Sequence, residues 1–150
     1  MCIRDSADPD GKIAIYRRPS RPHTIDTVFD TNYISELPRV DIVPSYAGAD
    51  GTAIEAFISA GAKAIVVSTL APGLPASPQM EAIKKALEKN IIVIYSTRAG
   101  SGRVLRRQSM IDSGIIAADN LNPQKARVLA MLALTKSTDT EVIQNFFDLY

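Results

Sequence analysis

His23 is the only histidine in the 150 residues, and it stands in RPHTIDTVFD beside Thr24, Asp26 and Thr27. A hydroxyl, an imidazole and a carboxylate are the parts of a covalent hydrolase site. Such a site needs a base within about 3 Å of the hydroxyl and a third group that holds the base. On an extended backbone, neighbours alternate sides. His23 and Thr24 would then point apart, with Thr24 and Asp26 on one side and His23 and Thr27 on the other. No glycine elbow presents Thr24, and Pro19, Pro22 and Pro38 favour a stretched chain. The stretch reads as polar side chains fixing an arm against its neighbour, with no catalytic residue assigned.

Two other stretches carry candidate chemistry. In RAGSGRVLRR, residues 98–107, Gly100 and Gly102 would let backbone amides approach an anion among arginines. The third glycine of a dinucleotide fingerprint is missing and no evident helix follows, so a surface loop is the expectation. In SYAGAD, residues 45–50, Tyr46 and Asp50 follow an apolar run and are the candidate substrate-binding residues. Ligands of open α/β sheets bind at that carboxyl edge. The alternative is that Asp50 caps a helix and Tyr46 packs. APGLPASP, after the next apolar run, is a proline-stiffened loop with few reactive groups. One histidine and one cysteine, Cys2, cannot supply a zinc set, and Asp26 with Asp30 lacks a third ligand. No metal and no cofactor are expected.

The elements that would position these residues begin in earnest at Val40. VDIV is a β-type run. Asp50 and Gly61 bracket a helix whose apolar stripe is Ile54, Phe57 and Ile58. AIVVS, residues 64–68, is apolar without interruption, as a strand covered on both faces should be. Ser77 and Pro78 open a second helix, with Met80, Ile83 and Leu87 inward and a Glu81–Lys85 pair outward. Asn90 ends it, IIVIY follows as a strand, and IIAA, 115–118, as another. Asn122 and Pro123 start a helix burying Ala126, Leu129, Leu132 and Ala133. Thr138 with Glu141 forms a capping box for a last helix carrying Val142, Ile143 and Phe146 inward. Strands alternating with helices predict right-handed crossovers in a parallel sheet. The fold class is α/β: a small three-layer domain with a four-stranded parallel sheet flanked by helices, preceded by an extended arm. Lys12 to Tyr16 reads as a short strand before that arm.

Composition excludes more than it selects. A length of 150 residues suits one domain burying about 70% of its unfolded surface. A net charge of +1 gives no pull towards nucleic acid, and no apolar run approaches the roughly 20 residues of a membrane span. MCIRDS leads into no periodic segment and has no apolar signal core. Residues 1–10 are therefore expected to be a non-native or disordered start, and the chain is expected to be a fragment.

GKIAIYRRPSRPHTIDTVFD, ELPRVDIV, GAKAIVV, IIVIYSTR and above all LNPQKARVLAMLALT resemble the carboxy-terminal part of bacterial-type L-asparaginases, as does the ending VIQNFFDLY. The resemblance runs from about Gly11 to Tyr150. It implies an interdomain arm over 11–38 and a C-terminal α/β domain over 39–150. It also implies that the HTxxTxFD element belongs to the connection between domains. The family's nucleophilic threonine sits in an amino-terminal glycine- and threonine-rich motif, joined there by a second threonine followed by aspartate and by a lysine. HTIDT imitates one of these motifs without its glycine. The implied reaction is hydrolysis of L-asparagine to L-aspartate and ammonia through an acyl-enzyme.

The implied partners are the amino-terminal asparaginase domain and further copies of the chain, as a dimer of intimate dimers forming a homotetramer. L-Asparagine is the implied small molecule, with neither nucleic acid nor membrane. Residence would be cytoplasmic or periplasmic. On this reading the isolated chain is inactive and associates through uncovered apolar surface. Two departures stand out. Tyr46-Ala47-Gly48 replaces a YAN-like context, and RVLRRQSM replaces a loop that carries a glutamate in some members, offering Arg106, Arg107 or Gln108 instead. Arginine there would meet an α-carboxylate but could not anchor an α-ammonium. The rival readings are a stand-alone α/β binding or interaction module without catalysis, and an independent hydrolase built on the His23 cluster.

Overall fold

The computed structural model describes Asp5–Ala7, Ile13–Ile15 and residues 20–71 and 73–150. Four strands, β3 (Val40–Pro44), β4 (Ala64–Thr69), β5 (Ile92–Thr97) and β6 (Ile116–Ala117), form one sheet in the order β3-β4-β5-β6. Every pair is parallel, with Val40 opposite Ala64, Ala64 opposite Ile92, and Ile94 opposite Ile116. An α/β fold with a four-stranded parallel sheet is thus the observed class.

The alternation of side chains along each strand builds two cores. Ile65, Val67, Val93 and Tyr95 face one layer, where α1 (Thr52–Ser59), α2 (Met80–Glu88) and α3 (Gln108–Asp112) contribute Ile54, Ile83, Ala86 and Met110. Ala64, Val66, Ile92 and Ile94 face the other, against Ala126, Ala130, Ile143 and Phe147 of α4 (Pro123–Leu134) and α5 (Thr140–Leu149). Every residue of β4 and β5 is buried. That is why those strands are apolar runs without alternation.

Several local expectations need correction. Asp139, not Thr138, caps α5: its carboxylate accepts from the amides of Glu141 and Val142. Ionised, it is the stronger acceptor for first-turn amides. Ser77 is not a cap but lies in a 3-10 turn, Ser77–Gln79, leading into α2. Met80 and Val142 are half-exposed, because Ala82, Ile83 and Ala86 carry the contact of α2 and Ile143 and Phe147 that of α5. Leu132 is only partly buried, and Ala130 takes the inner position. The short α3 lies where a loop was expected; five residues with one buried anchor, Met110, are too few to show periodicity.

Ahead of the sheet, β1 (Asp5–Ala7) pairs antiparallel with β2 (Ile13–Ile15). The expected strand at Lys12–Tyr16 is present within Ile13–Ile15, whereas a strand at Asp5–Ala7 was not expected; residues 1–4 and 8–12 lie outside the described residues. The arm contains two 3-10 turns, Thr24–Asp26 and Thr31–Tyr33, rather than unbroken extended chain.

Candidate functional site

The carboxyl ends of the strands terminate in hydroxyl residues: Ser45 just after β3, Ser68 and Thr69 on β4, Ser96 and Thr97 on β5. Most are used to stitch the loops to the sheet. Thr69 Oγ1 donates to the Ser96 carbonyl at 2.8 Å, and Ser96 Oγ to the Leu121 carbonyl at 2.6 Å. Ser45 Oγ donates to Gln79 Oε1 at 2.5 Å, and Gln79 Nε2 donates to the Pro44 carbonyl at 3.1 Å. A polar cavity of about 620 Å³ opens at this edge, lined by Ser68, Thr97, the 98–102 turn and the start of α4. Its floor is buried sheet and its rim carries Arg98, Asn120 and Lys125.

Tyr46 and Asp50 lie on the neighbouring loop. Tyr46 is half-exposed, and Asp50 Oδ1 accepts from the Thr52 amide at 3.0 Å, so its carboxylate is engaged at the start of α1. Neither residue lines the cavity. Gly48, between them, has φ +84 and open space where a Cβ would stand. Sequence reasoning passed over Ser68, Gln79 and Thr97. A strand whose apolar run ends in S-T twice, over Ser68–Thr69 and Ser96–Thr97, is the signal that would have found two of them.

The 98–107 loop is tied down. The Val104 amide donates to the Asp119 carbonyl at 2.9 Å, and Arg103 lies 3.6 Å from the Asp119 carboxylate. Arg106, one of the three side chains this loop would offer if it approached a site, pairs instead with Glu141 at the start of α5, and its Nε is buried without a partner. Gln108 donates to Asp112 one turn along α3. The helix that replaced the expected loop turns these side chains onto its own surroundings.

The arm lies against the second core. Arg21 donates to the Asp119 carboxylate at 2.8 Å, the Val28 amide donates to Tyr150 Oη at 3.0 Å, and the Phe29 ring centroid lies 5.2 Å from that of Phe146. Between arm and α4 an apolar cavity of about 660 Å³ includes His23, Thr24, Phe29 and Val128 in its lining. His23 and Thr24 do not point apart. Thr24 has φ +54 and opens a 3-10 turn, so the alternation of extended backbone fails there, and its Oγ1 comes 3.4 Å from His23 Nδ1. Both residues are exposed, and no carboxylate orients the imidazole among the described residues.

Among the described residues there is no group of three or more metal-ligating side chains, and no helix is long and apolar enough to cross a membrane. Residues 39–147 match the family model of the glutaminase/asparaginase C-terminal domain. L-asparaginase 2 of Bacillus subtilis is 39% identical over 131 residues, covering 87% of this chain and 35% of that protein. The probable periplasmic L-asparaginase of Haemophilus influenzae is 35% identical over 141 residues, 93% of this chain and 40% of its own length. The crystal structure of a probable cytoplasmic L-asparaginase from Campylobacter jejuni superposes with a TM-score of 0.88 at 40% identity, over 94% of this chain and 45% of that one. The chain therefore spans less than half the length of these relatives. By the match over its α/β domain, the chain belongs to the glutaminase/asparaginase C-terminal domain family.

Proposed function

We propose that this chain serves as the carboxy-terminal domain of an L-asparaginase, an amidohydrolase that converts L-asparagine to L-aspartate and ammonia. The observation that carries the reading is the family match over residues 39–147, on a fold that superposes on an L-asparaginase. In this reading the nucleophilic threonine belongs to an amino-terminal asparaginase domain, and the present domain brings Tyr46 and Asp50 to a site completed between copies of the chain. Chemistry among the described residues favours that division of labour. The His23–Thr24 contact is long, open to water and without an orienting carboxylate, whereas an activated hydroxyl needs a base held in place. The relatives carry both periplasmic and cytoplasmic names, and either compartment suits the reading.

The test is ammonia release from L-asparagine. The 150-residue chain alone is expected to give none above a no-protein control. Joined in frame to an asparaginase amino-terminal domain, it is expected to turn the amide over, and Tyr46→Ala in that joined protein to raise KM. Turnover by the chain alone, abolished by Thr24→Ala, would instead place the nucleophile in the arm.

A further inference from the structure

The cavity at the carboxyl edge of the sheet holds donors that no described residue uses. Ser68 is 7% exposed, yet its hydroxyl meets no partner among the described residues and lines the cavity. The hydroxyls of Ser45, Thr69 and Ser96 in the same row are each engaged. Its oxygen is not sealed off from the cavity, so it is placed to donate to a group that enters there.

The 12-residue helix α4 begins on the same wall and brings the positive end of its dipole. Pro123 has no N–H, and the Lys125 amide is taken by Asn122 Oδ1 at 2.9 Å. That leaves the Gln124 amide as the first-turn donor without an intrahelical acceptor. Arg98 lines the rim with no ion-pair partner among the described residues, and Lys125 stands near it. No carboxylate lines the cavity. Charge of one sign, a free amide and a free hydroxyl thus converge on one volume.

We propose that this cavity binds a small oxyanion, a carboxylate or a phosphate, held by the Arg98 guanidinium, Ser68 Oγ and the Gln124 amide. The planar fork of arginine suits either group. This inference stands whether or not the chain takes part in amide hydrolysis.

The experiment uses the ¹⁵N-labelled 150-residue chain, titrated at constant ionic strength with sodium acetate and separately with sodium phosphate, sodium chloride being the control. Saturable shifts at the Gln124 amide and around Ser68 are expected with at least one of the two oxyanions, and none with chloride. Response to acetate alone assigns a carboxylate, to phosphate alone a phosphate, and to both the shared chemistry. Arg98→Ala, at an exposed position, should weaken binding about tenfold, the loss of one charge-assisted contact. Ser68→Ala should weaken it by a smaller factor with the rest of the spectrum unchanged. The absence of saturable shifts with both oxyanions, or equal affinity in Arg98→Ala, would overturn the proposal.

Discussion

Gln79 is buried to 1% exposure and uses both ends of its amide. Its oxygen accepts from Ser45 Oγ and, at 3.3 Å, from the Ala76 amide, while its nitrogen holds the Pro44 carbonyl. One side chain thereby fixes the loop that carries Tyr46 to the segment entering α2. Tyr95, on β5, shows a different consequence of burial. Its hydroxyl has Met80 Sδ at 3.9 Å, a weak acceptor that does little for a phenolate. Burial therefore pushes the phenol up from 10.0 to about 12. Between those values the folded chain keeps a proton that the unfolded chain has lost, so stability falls as pH rises across the window and is intact below it. Urea midpoints measured from about pH 9 to pH 11.5 should decline above pH 10. Tyr95→Phe should flatten that decline, because the lysines common to both proteins remain. An identical slope in the two proteins would remove Tyr95 as its cause.

Elements were legible wherever burial is uniform. AIVVS and IIVIY could be read as covered strands because helices close both faces, and Asn90 marks the end of α2 with φ +56, a conformation asparagine tolerates. Short or contested boundaries were not legible. Asp139 displaced Thr138 as cap because a carboxylate one residue along reaches two amides, and α3 hangs on a single buried methionine. Of the edge residues, Asp50 was readable as an acceptor at the start of α1, although Gly51 and not Asp50 is the N-cap there, whereas Ser68 acquires meaning only when β5 and α4 arrive from distant sequence. Close packing between helices is likewise invisible before folding. Gly51 has an ordinary φ of −80, yet a Cβ there would stand 2.7 Å from the Cβ of Ala82 on α2. Gly51→Ala should therefore cost about 1–3 kcal/mol by overpacking the α1–α2 contact, read as a lower urea midpoint. In an Ala82→Gly background the same substitution should cost less, and equal costs in both backgrounds would show that the contact is not responsible.

At the scale of the molecule, the arm fastens to the domain at few points: Arg21 on Asp119, Val28 on Tyr150, and Phe29 against Phe146 and Tyr150. Around those points it leaves Ile25 94% and Tyr33 88% exposed; Val28 is half-exposed, as is Val128 in the lining of the apolar cavity. Apolar groups gathered this way favour association once they exceed a few hundred Å² of contiguous surface. A net charge of +1 offers little electrostatic resistance, since a chain near neutrality has little self-repulsion. The purified chain should therefore sediment and scatter light as oligomers at micromolar concentration near neutral pH. Val128→Lys places a charge on the exposed face of α4 without disturbing Leu129 or Ala130 behind it, and should shift the distribution towards monomer at unchanged helical content. The domain has its own two-sided core, so dissociation should not unfold it. A wild-type chain that is monomeric across the micromolar range would mean that the arm and α4 already satisfy one another, and that their exposed apolar groups are ordinary surface.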